Sequence, residues 1–110
     1  MTTATTSLSP SDIDQTDARL LACMSQINEV LKTNGLEGKI GLEILHNHFP
    51  VSRDEIMFES VDAATRTVTF RPLQRASLDP RESFVSVWDP STADPVKRCP
   101  RTDSCHQILR

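Results

Sequence analysis

Apolar residues recur at helical spacing in the first third of the chain. The stripe that they form on an α-helix comprises Ile13, Leu20, Met24, Ile27 and Leu31. Ahead of it, Ser9, Pro10 and Asp12 form a typical helix start, with a capping hydroxyl, a proline in the first turn and then an acid. Gly35 can adopt the left-handed conformation that ends helices. This pattern predicts one amphipathic helix over residues 10–34.

After Gly38 the apolar period changes from that of a helix to that of a strand. Residues 40, 42 and 44 are apolar and alternate with a glycine and a glutamate, which predicts a half-buried strand that continues to residue 48. Runs with strand-like patterning follow it, each bounded by turn or proline residues. These predicted strands lie at residues 54–60, 65–71 and 83–89.

The second and third predicted strands have the pattern of a hairpin around an Asp-Ala-Ala turn. Pairing Phe58 with Val68 and Ile56 with Phe70 places four apolar side chains on one face of the hairpin. A slip by one residue would mix apolar and charged side chains on both faces, so the pattern favours this register. The same register places Met57 on the outer, otherwise polar face.

Together these elements predict an α+β fold. Residues 1–8 are predicted to be disordered, residues 9–89 to form a single domain, and residues 90–110 to form an irregular tail, because X-Pro steps there disfavour regular structure. The N-terminal amphipathic helix is expected to pack on an antiparallel meander of about four strands. The contact is expected to join two apolar sets: Leu20, Met24, Ile27 and Leu31 on the helix, and Leu42, Ile44, Phe58, Val68 and Phe70 on the sheet.

Composition and charge are those of an ordinary soluble globular chain. The 110 residues are 37% hydrophobic and 25% charged, and the net charge of −3 argues against the concentrated basic surface that nucleic-acid binding requires. No apolar run approaches the length of a membrane span, and the first residues lack the order of a secretory signal. Three cysteines are too few for a disulfide framework. We therefore expect a cytoplasmic protein with reduced thiols and with neither a nucleic-acid nor a membrane partner.

The candidate site residues are the two histidines in the stretch Leu45–Phe49. On a regular strand, His46 and His48 lie on the same side as the apolar row, so both can reach one metal ion. Neutral imidazole is a common ligand of divalent transition metals, and Glu55 follows on the next predicted strand. The sequence therefore predicts a metal site at His46 and His48, with Glu55 as an additional ligand.

Two other interpretations of these histidines stay open. One imidazole could serve as an acid, a base or a ligand anchor in a pocket without metal, because imidazole exchanges protons near neutral pH. Both side chains could also be structural residues that finish a strand and hydrogen-bond a backbone group or water.

The order His46-x-His48, then Glu55, then an apolar strand resembles the first metal-binding motif of the cupin barrels. The resemblance covers only this stretch and departs from the motif in several respects. The interval between His48 and Glu55 is longer, no glycine closes the motif, the later histidine motif is absent, and a helix precedes the first strand. No cupin activity is therefore expected from it.

The cysteines add little to the predicted chemistry. Cys99 and Cys105 are separated by five residues, which is not the spacing of a structural zinc site, although it could close a small disulfide loop in a secreted chain. Cys23 lies at the edge of the helix stripe and is predicted to be a small buried apolar residue.

Two classes of function fit these observations. The first is a small ligand-binding or metal-binding domain, or a small enzyme, with its site at the end of the His-x-His strand and a divalent transition metal as the candidate cofactor. The alternative is a non-catalytic protein-interaction module, expected to be a homodimer, in which exposed Met57 and Trp88 contribute to a sheet interface.

Overall fold

The computed structural model describes residues 9–101 and 106. They form two compact units, of which the first comprises residues 9–46 and the second residues 47–101 with 106. The helix lies in the first unit and the sheet in the second. Residues 1–8, for which disorder is predicted, lie outside the described residues. Within the described part of the chain, no helix has the length and apolar composition needed to cross a membrane.

The predicted helix is confirmed over a shorter range, because its predicted start is a separate turn. A 3-10 turn occupies Pro10–Asp12, and helix α1 spans Ala18–Thr33. Between them, the carboxylate of Asp14 accepts hydrogen bonds from the backbone N–H and the hydroxyl of Thr16, at 2.9 and 2.7 Å. Such side-chain bonds offer the backbone an alternative to the helix. Asp17 then caps α1 by accepting a hydrogen bond from the N–H two residues on, at 2.7 Å.

The end of α1 follows the sequence prediction. Gly35 has φ +72° and its N–H bonds the carbonyl of Lys32, while the N–H of Leu36 bonds the carbonyl of Leu31 at 2.8 Å. These two bonds and the left-handed glycine form a Schellman motif, which satisfies the last carbonyls of a helix. The predicted stripe is partly covered at Leu20, Ile27 and Leu31. Cys23, at its edge, is exposed, so its predicted burial is wrong.

The predicted strand over residues 40–48 is wrong. Residues 40–50 contain no strand, and Ile40 and Leu42 are 44% and 57% exposed. A strand needs a hydrogen-bonded neighbour, and residues 40–46 belong to the unit whose main element is the helix. Alternating apolar residues were therefore not sufficient to produce a strand here.

The described part of the second unit is a mixed sheet of four strands, so the described residues as a whole have an α+β composition. The strands are β1 Glu55–Asp62, β2 Thr67–Gln74, β3 Ser83–Asp89 and β4 Asp94–Pro100. They lie in the order β2-β1-β4-β3. The pairs β1–β2 and β3–β4 are antiparallel, but β1 and β4 run parallel, so the sheet is not the antiparallel meander that the sequence predicts.

The hairpin β1–β2 is confirmed, but its predicted register is wrong. Phe58 pairs with Arg71 instead of Val68, and Ile56 pairs with Leu73 instead of Phe70. The cause lies in a longer turn, which the carboxylate of Asp62 stabilises by accepting two backbone N–H bonds and in which Arg66 has φ +57°. The observed register differs from the predicted one by an odd number of residues. Val68 and Phe70 therefore lie on the opposite face of the hairpin from Ile56 and Phe58.

This register gives the sheet two faces, which we name after neighbouring residues of β1. The Ile56 face also carries Phe58 and Arg98, and the Met57 face also carries Glu59 and Cys99. Met57 is only 9% exposed, so its predicted position on an open polar face is wrong. The buried residues of the described chain are Ile56, Met57, Ser83 and Cys99.

The tail predicted to be irregular contains β4, an inner strand of the sheet, so that prediction is wrong for residues 94–100. Its prolines are tolerated because of where they lie. Pro95 and Pro100 flank Lys97 and Arg98, the two residues that pair with β1, and proline is accepted at the ends of a paired segment. Residues 102–105 and 107–110 lie outside the described residues, and the single domain over residues 9–89 stays a prediction.

Strands β2 and β3 are on opposite edges of the sheet, so the connection between them must cross it. Three inter-strand spacings amount to about 14 Å. Residues 75–82 make this crossing on the Ile56 face. Leu78 lines one cleft together with Phe58, and Leu78 and Pro80 line an adjoining cleft together with Ile56.

Candidate functional site

The predicted metal ligands lie in irregular segments, and the strand that was expected to align His46 and His48 is absent. The Nδ1 atom of His46 hydrogen-bonds the carbonyl oxygen of Ile44 at 2.7 Å. His46 is the last described residue of the first unit, whereas His48 belongs to the second. Sharing of one ion by these two imidazoles therefore stays a prediction that strand geometry no longer supports.

Glu55 lies at the start of β1 and takes part in the turn that leads into the strand. Its Oε1 atom accepts hydrogen bonds from the backbone N–H and the hydroxyl of Ser52, both at 3.0 Å. The same hydroxyl donates to Asp54 at 2.6 Å. Over residues 9–101 and 106, no three or more His, Cys, Asp or Glu side chains are grouped so that they could hold a metal ion.

The larger of the two clefts lies between the crossing connection and the Ile56 face, and we call it the connecting cleft. Its volume is 580 Å³. Phe58, Leu78 and Pro100 contribute apolar residues to its lining, and Arg81 and Arg101 also line it. The second cleft, of 320 Å³, shares Leu78 with it and reaches Ile56 and Arg98.

Arg98 fixes the end of the crossing connection to β4. Its Nε donates to the hydroxyl of Ser83 at 2.7 Å, and its Nη2 donates to the carbonyls of Ser83 and Pro80, at 3.0 and 3.4 Å. Ser83 is only 2% exposed, so the charge-assisted bonds to its hydroxyl and its carbonyl satisfy polar groups that water does not reach. The wall of the cleft is therefore held in place by hydrogen bonds.

The polar rim of the connecting cleft contains groups of both signs. Arg81 forms an ion pair with Asp79, which together with the N–H of Arg81 lowers the pKa of the Asp79 carboxyl. Arg101 donates from its Nε to the carbonyl of Ser83 at 3.2 Å. The guanidinium carbon of Arg101 also lies 5.8 Å from the ring centroid of Phe84, which is a cation–π contact. Within the described residues its Nη atoms make no hydrogen bond, so they can donate to an anionic or carbonyl group.

A second cluster of chemically active side chains lies on the Met57 face, away from the connecting cleft. The thiol of Cys99 donates to Oε2 of Glu59 at 3.1 Å, and its Sγ atom is 3.3 Å from Nε2 of His106. Phe84 contacts the imidazole of His106 edge to face, with ring centroids 5.3 Å apart. Sequence reasoning missed this cluster because Glu59 lies 40 positions before Cys99, and only the parallel pairing of β1 with β4 brings them together.

Comparisons of the chain with protein-family models, with curated proteins and with solved structures give no match. The class that the fold and the site define is therefore a structural one: a small chain with one described helix and a mixed four-stranded sheet, with a cleft on one face of the sheet and a thiol cluster on the other. Any function has to be inferred from the chemistry of these two places.

Proposed function

We propose that this chain is a small-molecule-binding domain and that its site is the connecting cleft. The observation that carries the proposal is a cleft of 580 Å³ that combines apolar side chains with a few polar groups. Ligand sites in proteins have volumes of about 300–1,000 Å³ and the same mixture of surfaces. The site thus differs from the His-x-His stretch that the sequence indicates, while the class of function is the same.

The hydrogen bonds of the cleft wall support the proposal, because a site that is already formed binds with a smaller loss of conformational entropy. Arg98 holds Ser83 and Pro80, and the N–H of Arg101 bonds the carbonyl of Glu82 at 2.9 Å. Both ends of the polar rim are therefore attached to β4.

The lining favours a mainly apolar ligand that carries one anionic group. Phe58, Leu78 and Pro100 offer apolar contact area, while Arg101 offers charge-assisted donors at one end. Arg81 is already paired with Asp79, so Arg101 is the better candidate for the anion. A carboxylate attached to an aromatic or branched aliphatic body has this chemistry.

The test uses 8-anilinonaphthalene-1-sulfonate, an apolar probe with one anionic group, in a titration followed by amide chemical shifts. We expect the largest shifts at Leu78, Ser83 and Arg101. Shifts that instead cluster at Val68 and Phe70, on the Met57 face, would contradict the assignment of the site.

Three variants sharpen this test. Leu78→Asp places a charge against the apolar body and should weaken binding about tenfold or more. Leu21→Asp is the matched control, because Leu21 is 50% exposed, lies off the apolar stripe of α1 and belongs to the other unit. Arg101→Gln should weaken the sulfonate probe but leave the neutral analogue N-phenyl-1-naphthylamine unchanged. Equal affinities in all the variants would refute the cleft as the site.

The packing of α1 on the sheet is a further part of the proposed architecture. It is supported by the apolar stripe of the helix and by sheet residues that their own unit leaves exposed: Val68 is 51% and Phe70 39% exposed. Both residues lie on β2, an edge strand, where an additional layer can cover them.

The alternative function is a protein-interaction module that forms a homodimer. Trp88 is 52% exposed, and β2 and β3 are edge strands of the described sheet, which favour it. The burial of Met57 removes the second residue of the predicted exposed pair. A solution mass of two chains that reverts to one chain in Trp88→Ser would support the module, whereas a monomeric mass for the parent would contradict it.

A cytoplasmic location with reduced thiols is also proposed. Its support is the small number of cysteines, three in the whole chain, since secreted domains of this size commonly rely on several disulfides.

A further inference from the structure

Cys99 occupies an unusual position for a small apolar residue. It lies on the inner strand β4 and is 3% exposed, yet its thiol contacts two polar side chains. The carboxylate of Glu59 accepts a hydrogen bond from the thiol, and Nε2 of His106 lies within hydrogen-bonding distance of the sulfur. A cysteine that only fills space in a core needs neither partner.

The two partners have opposite roles toward the sulfur. Since the thiol hydrogen is directed to Glu59, the carboxylate can take up the proton when the thiol ionises. With its proton on Nε2, His106 then donates a hydrogen bond to the thiolate. A nucleophile beside a base and a stabilising donor is the arrangement that activates thiols in proteins.

We infer that Cys99 is a reactive thiol that is oxidised by hydroperoxides, a property independent of the connecting cleft. The Sγ atom attacks the terminal oxygen of the hydroperoxide, and its proton passes to Glu59. The Sγ–O bond forms as the O–O bond breaks, and the electron pair leaves with the departing oxygen, which takes the proton from Glu59. Sulfur is oxidised by two electrons to sulfenic acid, and the hydroperoxide is reduced to an alcohol, or to water if it is hydrogen peroxide.

The side chain of His106 is exposed, whereas Cys99, whose sulfur it contacts, is buried. The imidazole also contacts Phe84 edge to face. His106 therefore joins the buried thiol to the protein surface.

The sequence allows a site-resolved test in the full chain, because trypsin places each cysteine in a different peptide. Cys23 falls in residues 20–32, Cys99 in residues 99–101, and the third cysteine in residues 102–110. The native protein is treated with hydrogen peroxide in the presence of dimedone, which traps sulfenic acid, and the peptides are quantified by mass spectrometry. We expect Cys99 to be labelled about tenfold faster than the exposed Cys23. Labelling of Cys23 first, with Cys99 reacting only in denaturant, would overturn the inference.

Variants separate activation from simple exposure. His106→Gln and Glu59→Gln should each slow the labelling of Cys99 about tenfold and leave Cys23 unchanged. His46→Gln is the matched control and should change neither rate. In urea, the rates of Cys99 in all variants should become equal, since the activating contacts are lost. Faster labelling of Cys99 in His106→Gln would show that the imidazole only shields the thiol, and would also overturn the inference.

Discussion

Arg98 connects three parts of the sheet unit. Through Ser83 and Pro80 it joins β4 to the start of β3 and to the crossing connection. The sequence shows only a basic residue in a charged tail, because its partners are backbone carbonyls and a serine, which have no recognisable pattern. Structure alone reveals its role.

Replacement of Arg98 by methionine should lower the free energy of unfolding by about 2 kcal/mol. The change removes a charge-assisted network, and the buried hydroxyl and carbonyl of Ser83 lose the hydrogen bonds that Arg98 donates to them. Urea denaturation of the parent and the variant measures the difference. Arg81→Met is the control, since an exposed ion pair such as that with Asp79 contributes little to stability. Equal losses in the two variants would contradict the structural role of Arg98.

Asp89 shows how a turn can set the protonation of a partly exposed carboxyl. Its Oδ1 atom accepts hydrogen bonds from the hydroxyl of Ser91 at 2.6 Å and from the N–H of Ser91 at 2.9 Å. Both bonds lower the pKa of Asp89, and the bond from the hydroxyl has the larger effect. A carboxyl whose pKa is lower in the folded state stabilises the fold above its unfolded pKa, and this contribution is lost as the pH falls through the folded pKa.

We therefore expect Ser91→Ala to raise the pKa of Asp89 toward its ordinary value and to weaken the dependence of unfolding on acid pH. A carbon-detected NMR titration of the carboxyl measures the pKa. Ser77→Ala is the control, because the hydroxyl of Ser77 bonds the carbonyl of Gln74 and no carboxylate. An unchanged pKa in Ser91→Ala would show that the backbone bond alone is responsible.

At the scale of elements, local patterns were reliable where the chain itself supplies the partner. Helix α1 and the hairpin β1–β2 form from neighbouring residues, and both were found from periodicity. The strand near residue 40 and the pairing of β4 depend on distant segments, which periodicity does not report. The thiol cluster was missed for the same reason, since Glu59 meets Cys99 only through the parallel pair.

The turn between β3 and β4 holds a residue in a strained conformation. Ala93 has φ +61°, a left-handed conformation that costs residues with a Cβ atom about 1 kcal/mol. Ala93→Gly should therefore raise the free energy of unfolding by about 0.5–1 kcal/mol, measured by thermal or urea denaturation. Ala63→Gly, in the turn of the other hairpin, is the control and should lower it, because Ala63 has no positive φ. A loss in both variants would contradict the argument.

At the scale of the whole molecule, the proposed packing of α1 on the sheet can be tested by truncation. If Ile27 and Phe70 face one another, Ile27→Ala and Phe70→Ala should each cost about 2–5 kcal/mol of unfolding free energy. Val30→Ala is the control, because Val30 lies at the edge of the stripe and is 60% exposed. Losses well below about 1 kcal/mol at both test positions would contradict the packing.

The predicted metal site also belongs to this scale, because His46 and His48 lie in different units. If they share an ion, titration calorimetry with zinc, nickel and copper should show binding that needs both histidines and weakens at acid pH, as protons compete for the ligand nitrogens. Asn47→Ala is the control beside His46→Ala and His48→Ala. Equal weak binding in all four proteins would exclude the predicted site.

The parallel seam between β1 and β4 has a consequence for how the chain folds. Each antiparallel hairpin closes a short loop and can form within microseconds, whereas the seam joins Met57 to Lys97, 40 positions away. Until the seam closes, the edges of β1 and β4 that will form it are unpaired. The two edges can meet within one chain or between two chains, so slow seam closure at high concentration favours exchange of hairpins between copies.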